Sequence, residues 1–202
     1  LAAQLDKQDK ATYLALQYGA TKTTESRYTS EILLRGDAAL KDKSIKVEAD
    51  REAGWRATIT KAVADAYPNE NQRRDVIDAA YLINAGLASE GRADPERAVR
   101  LAAKGSIIEF NGKSVPIPAG VSEGDLTNRL KTITGKDLAT QTTGGVVRVG
   151  GQEVPVDDLA KALPDSQLMY ASQGAYYVLS GNRVVTNTQG KPIVIKVDSN
   201  AR

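Results

Sequence analysis

The sequence predicts an α+β protein, with a helical region over residues 1–105 and a region of short antiparallel β-hairpins with small helices over residues 106–202. Three observations predict it. Apolar residues recur every three to four positions through the first hundred residues, and Gly or Pro interrupts each run. From Gly105 onward the segments turn strand-like around Asn-Gly and Gly-Gly dipeptides. The second half also repeats itself: 146–156 matches 107–117 position by position, at an offset of 39 residues (146 minus 107).

Five helices follow from the first half. Leu5, Ala11, Tyr13 or Leu14, Leu16 and Tyr18 make the first stripe, and Gly19 is its stop. The second helix is expected from Thr24 to Arg35, with Ile32, Leu33 and Leu34 at its apolar end and Gly36 behind it. The charged stretch from Lys41 to Glu52 opens a third, long helix. Its buried face is Trp55, Ile59, Val63 or Ala62, and Ala66, and Pro68 ends it. Asn69 caps the fourth helix, whose stripe is Val76, Ile77, Ala80, Tyr81 and Leu87, closed by Gly91. The fifth has the clearest start: Asp94 as N-cap, Pro95 at the first helical position and Glu96 in the first turn. Val99, Leu101 and Ala102 follow, with Gly105 in the left-handed closing position.

In the second half, residues 106–110 form a strand, Asn111-Gly112 is a two-residue hairpin turn, and residues 113–117 return. Pro116 has no N–H to give a ladder, so the return strand lies at an edge or ends there. A helix is expected from Ser122 to about Ile133, with Glu123 and Asp125 in its first turn and Gly135 after it. The second copy of the hairpin leads into a helix capped by Asp157 or Asp158 and stopped after Leu163 by Pro164. A weaker third echo, residues 176–185, turns at Gly181-Asn182, and residues 191–197 supply the last strand. Two matching hairpins either share one sheet or serve separate places. Two copies do not make a solenoid, which needs at least three, and the repeat reads as architectural.

Composition narrows the chemistry. Hydrophobic residues at 41% and charged residues at 26% describe an ordinary soluble, folded chain. With one Trp, one Phe and eight Tyr, the packing falls mainly to Ala, Val, Leu and Ile. A balance of 27 basic and 25 acidic residues gives no electrostatic reason to expect nucleic acid or a membrane surface as partner. The chain has no Cys, which excludes disulfides, thiol nucleophiles and thiolate metal sites. It has no His, which excludes Ser-His-Asp triads, imidazole bases and most zinc or copper sites. An enzyme built from this alphabet works with carboxylates, Lys, Arg, Tyr or an oxygen-ligated metal. No apolar run approaches the roughly 20 residues that span a bilayer, and none resembles a signal peptide. The chain begins at Leu1 and its only Met is Met169, which reads as a piece of a larger polypeptide.

The candidate residues each have a plain reading beside the functional one. Glu25 and Glu31 are the first carboxylates to weigh for a glycosidase. Glu25-Ser26 resembles the Glu-Ser that opens lytic transglycosylase sites, but the Gly-Leu-Met-Gln segment expected downstream is absent. Glu48, Asp50 and Glu52 lie among Lys41, Lys43, Lys46 and Arg51, as on a solvated helix face. Asp157 and Asp158 read as a cap and a helix-dipole partner before they read as metal or catalytic acids. Gly144-Gly145 and Gly150-Gly151 are turn residues, with no phosphate-loop spacing around them. Arg73, Arg74, Arg92, Arg97 and Arg100 are interleaved with Glu70, Asp75, Asp78, Glu90, Asp94 and Glu96, which spoils a nucleic-acid stripe. Tyr170, Tyr176 and Tyr177 remain. On alternating strand positions one of Tyr176 and Tyr177 faces outward, where a ring can anchor a sugar or a partner protein. No residue is assigned as catalytic, metal-binding or cofactor-binding, and no cofactor is expected.

From about Tyr67 to Val197 the order of landmarks is Tyr67-Pro68, Asp94-Pro95 with Ala98, residues 107–112 with Pro116, and Pro118-Ala119-Gly120. Then come Leu163-Pro164-Asp165 with Leu168 and Tyr170, residues 174–178, and residues 190–194. This order resembles the C-terminal region of large bacteriophage or prophage virion-associated proteins, of the tail or internal, ejected kind. The resemblance covers about two thirds of the chain and transfers no catalytic residue. It implies a non-catalytic structural or interaction region, with other virion or tail proteins as partners and no nucleic acid or membrane span. The place it implies is the virion, or the bacterial cytoplasm during assembly. The alternatives are a peptidoglycan-acting glycosidase using carboxylates, and a cell-wall- or protein-binding module reading through tyrosines.

Overall fold

Side-chain caps set where the helices begin. In the computed structural model, which describes residues 7–21 and 23–197, α1 (Lys7–Gly19), α2 (Thr24–Lys41), α3 (Ala49–Val63), α4 (Glu70–Ser89) and α5 (Pro95–Ala102) are the five helices expected. Leu5 and residues 198–202 lie outside the described residues. Asn69 accepts a hydrogen bond from the Gln72 N–H at 3.0 Å, and Asp94 accepts from the Arg97 N–H at 2.9 Å. Each satisfies one of the donors a helix start leaves unpaired. At the far end of α4, Gly91 (φ 73°) donates to Ala88 O and Arg92 to Leu87 O, the paired closure of a Schellman motif.

Several local expectations need correcting. Gly36 does not stop α2 but lies inside it, because α2 and α4 approach so closely that only Gly fits. Of the first stripe, Ala11, Leu14 and Tyr18 are buried, with Ala15 beside them, whereas Tyr13 and Leu16 face out, as does Leu34 of α2. The charged stretch is not helical from Lys41 onward: Lys43 takes a left-handed φ of 57° and α3 starts at Ala49. Trp55, Ile59 and Val63 are its buried face, and Ala66 is buried beyond its end. At the end of α5, Lys104 (φ 53°) holds the left-handed position expected of Gly105. Gly105 instead opens a strand, where an added Cβ would meet Ile117 O at 1.9 Å.

The chain divides into two compact units, one of Leu1–Ala64 and Asn69–Lys104, the other of Asp65–Pro68 and Gly105–Arg202. The second unit holds the strands and takes in the short segment before α4, where the Tyr67 ring meets Tyr170 edge-on at 5.0 Å.

The two matching hairpins are built alike. β1 (Gly105–Phe110) pairs with β2 (Lys113–Pro118), and β3 (Val146–Val149) with β4 (Gln152–Pro155), both antiparallel. Their registers superpose at the offset read from the sequence: Ile107↔Pro116 matches Val146↔Pro155, and Ile108↔Val115 matches Val147↔Val154. Both turns need positive φ at two successive residues, and Asn111-Gly112 (47° and 77°) and Gly150-Gly151 (59° and 93°) supply it. The copies serve different sheets. β1 and β2 form a two-stranded sheet, so the strand carrying Pro116 is an edge, whereas β3 also pairs with β8 (Thr186–Asn187).

The remaining sheet joins β5 (Gln167–Ser172), β6 (Ala175–Ser180) and β7 (Arg183–Val184), with β9 (Val194–Lys196) also paired to β6. Helices α6 (Glu123–Thr132), α7 (Gly135–Ala139) and α8 (Val156–Ala162) complete the unit. Ser122 and Thr134 open α6 and α7 with reciprocal capping boxes to Asp125 and Asp137. Gly135 therefore begins a helix instead of merely following one. α8 starts without a side-chain cap directly from Pro155, so neither Asp157 nor Asp158 is its N-cap; both lie in its first turn. A 3-10 turn at Leu163–Asp165, which contains Pro164, follows it.

Asn187 ties the loop after β8 to the turn that follows α7. Its Oδ1 accepts from the Gln189 and Lys191 N–H groups at 2.9 and 3.0 Å, and its Nδ2 donates to Gln141 O at 3.0 Å. The side chain is buried, so its loss strands several polar groups at once. Asn187→Ala is expected to lower the stability of this unit by about 2 kcal/mol in urea unfolding, with an unchanged slope. Asn187→Asp, which cannot donate to Gln141 O, should fall between the two.

Candidate interaction surface

Strand alternation sorts the tyrosines. On one face of the β5–β6–β9 sheet, Leu168, Tyr170, Tyr176, Val178 and Ile195 are all buried. Tyr176 is fully enclosed, and its hydroxyl donates to Pro116 O at 2.8 Å. Burial holds that phenol far above the ordinary tyrosine range, so it remains a donor. Tyr177 is on the opposite face, half-buried, as the alternation requires. In the register it stands directly between Met169 of β5 and Val194 of β9, both also half-buried. Directly opposed residues share a face, so these three side chains form one apolar row across three strands.

Val194 also lines a groove of about 420 Å³ between the α6–α7 segment and β9. Buried Ile133, Leu138 and Ile195 contribute to its wall, and Arg129, Asp137, Thr140 and Lys196 stand exposed around it. Gln141 crosses to the strand: its Nε2 donates to Val194 O and its Oε1 accepts from Val194 N, both at 2.9 Å. A side-chain amide thus takes the place of a neighbouring strand. Arg129 Nε donates to Lys196 O at 3.3 Å. The Thr134 backbone N–H and hydroxyl, both donated to Asp137, hold its carboxyl below the ordinary range. That acid is occupied in its cap, while the Arg129 and Lys196 charges stand at the groove.

The candidate acids are distributed differently. Glu25 lies exposed in the first turn of α2 and lines a small cavity of about 80 Å³ with Thr23, Ser26, Thr29, Tyr18 and Lys104 among others. Desolvation draws the Lys104 ammonium below the ordinary lysine range. Ser26 Oγ donates to Tyr18 O and Thr29 Oγ1 to Glu25 O, so these hydroxyls serve the backbone. Among the described residues Glu25 is the single acid lining this cavity, whereas glycoside hydrolysis employs two facing carboxylates. Glu31 is not among the cavity's lining residues. Glu52 accepts from Arg56 and from the Tyr81 hydroxyl, and these bonds lower its pKa, Arg56 first. Asp157 is set against α7: its Oδ1 occupies the space a Cβ on Gly135 would need, at 1.8 Å. Asp158 pairs with Lys161 at 3.5 Å. Of the arginines, Arg74 pairs with Glu70 and Arg92 with Glu90, while Arg73 donates to Ala64 O at 3.3 Å.

The groove residues Arg129, Gln141 and Lys196 escaped the sequence reading. They come from three separate segments, and no local spacing joins them. No helix among the described residues is long and apolar enough to cross a membrane. Comparisons with protein-family models, with curated proteins and with solved structures found no match.

Proposed function

We propose that the chain is a non-catalytic structural or interaction region of a phage or prophage virion-associated protein, and that the β unit carries its contact with other virion or tail proteins. The observation that carries this reading is the Met169–Tyr177–Val194 row running into the groove flanked by Arg129 and Lys196. An apolar strip with an aromatic ring and a charged rim has the anatomy of a protein contact surface. The order of turns from Tyr67 to residue 194 supports the virion assignment, since those positions resemble such proteins. In this reading the chain resides in the particle, or in the bacterial cytoplasm during assembly.

Peptide mass spectrometry on purified particles after prophage induction in the source organism tests the assignment. Peptides of this chain at a fixed ratio to capsid or tail proteins are the expected result. Their absence from particles, with the protein abundant in the cell, would remove it. Tyr177→Ala should then reduce incorporation at least tenfold while leaving the unfolding midpoint nearly unchanged, the mark of a ring used for contact.

A further inference from the structure

The twin hairpins differ in what lies beyond their first strand. On the outer side of β3, β8 adds a third antiparallel strand, with Val147 opposite Asn187 and Arg148 opposite Thr186. At the repeat offset of 39 residues, Ile108 and Glu109 of β1 hold the positions of Val147 and Arg148. Among the described residues no strand meets them there, because β1 pairs with β2 alone.

The register fixes which groups this edge presents. A two-residue turn closes on a hydrogen-bonded pair, here Phe110 and Lys113, and such pairs alternate along an antiparallel ladder. Ser106, Ile108 and Phe110 therefore bond to β2, while Gly105, Ile107 and Glu109 turn their N–H and C=O groups outward. The same alternation turns Pro116 outward on β2, where its C=O takes the Tyr176 hydroxyl at 2.8 Å. No backbone hydrogen bond reaches the outward groups of Ile107 or Glu109 among the described residues.

Neighbouring edges are shielded. β2 carries Pro116 and Pro118, β4 carries Pro155 and the exposed Glu153, and β9 is bonded to Gln141 and Arg129. β1 has no proline and no lysine, and Glu109 is its single charge.

We propose that β1 pairs antiparallel with β1 of a second copy of this chain, about a two-fold axis at Ile107. In that register Ile107 faces Ile107 and Glu109 faces Gly105, so every outward N–H and C=O of these residues finds a partner. Centring on Ile108 would set Gly105 against Asn111 in the turn, and centring on Glu109 would oppose two like charges. With the axis at Ile107, the one carboxylate meets the one residue that has no side chain. The dimer depends neither on the Tyr177 row nor on the virion assignment.

Sedimentation equilibrium of the full chain over a concentration series is the test. A monomer–dimer equilibrium is expected, with a Kd of roughly 1–100 μM for so short an interface. Glu109→Pro removes an outward N–H without cutting a β1–β2 bond, and symmetry applies the loss twice, so the dimer should weaken about tenfold or more. Glu153→Pro, the matching change on the outer side of β4, should leave it unaltered. On the unsubstituted chain, the Ile107 and Glu109 amides should gain protection from hydrogen exchange as concentration rises. A chain still monomeric at about 1 mM, a dimer weakened no more by Glu109→Pro than by Glu153→Pro, or exchange at Ile107 and Glu109 indifferent to concentration would each overturn the assignment.

Discussion

Gly36→Ala is expected to cost the helical unit about 3 kcal/mol or more, which for a unit of this size is a fall in Tm of roughly 15 °C. In an ordinary helix interior the same change stabilises, because Gly loses more backbone freedom on folding than Ala. Here an added methyl would lie 1.8 Å from Leu82 O and 2.7 Å from the Gly86 nitrogen. Gly86 stands opposite under the same restriction, its would-be Cβ 2.1 Å from Ile32 O. These contacts are with backbone of the facing helix, so no side-chain rotation relieves them. The internal control is Gly54→Ala in α3, where nothing lies within 4 Å and the site is exposed. It should gain about 0.5–1 kcal/mol. Thermal unfolding of both variants, each against the parent, gives the comparison. The same sign for both would mean that α2 and α4 are not in backbone contact.

Tyr176→Ala carries the largest effect expected in the β unit, a loss of about 3–5 kcal/mol. The ring is completely enclosed on the inner face of its sheet, and its hydroxyl reaches Pro116 O in the first hairpin. Removing it opens a cavity and cuts the bond between two sheets. Tyr176→Phe keeps the packing and should cost only about 1 kcal/mol. Urea unfolding separates the contributions: the Ala–Phe difference reports the buried ring, and the Phe–Tyr difference reports the hydrogen bond. A Phe variant as unstable as the Ala variant would make the bond, not the packing, the dominant link.

What could be read in advance was local. Asn69 and Asp94 announce their helices because the cap and the N–H it serves are three residues apart. Asn111-Gly112 and Gly150-Gly151 announce their hairpins because two successive positive φ angles exclude most other pairs. Failures came where a distant partner decided the outcome. Gly36 looked like a stop because the residues that require it, Leu82 and Gly86, lie some 50 positions away in sequence. Asp157 looked like a cap because nothing nearby in sequence shows that its carboxylate is seated against Gly135. The short helix α7 carries its own signal, the Thr134 to Asp137 spacing, but Gly135 between them reads as a stop.

The twin hairpins bear on how quickly the β unit assembles. Each closes through a two-residue loop, so its strands find one another on the microsecond scale, roughly, without waiting for the rest of the chain. Pairing β3 with β8 joins Val147 to Asn187, and pairing β6 with β9 joins Tyr177 to Val194, across longer loops with a greater closure entropy. Folding should therefore proceed from early local hairpins, these two and the equally tight β5–β6–β7 meander, to a slower docking step that seats β8 and β9. Until that step, Tyr177 lacks Val194 beside it, so the completed row would appear with the last event in folding.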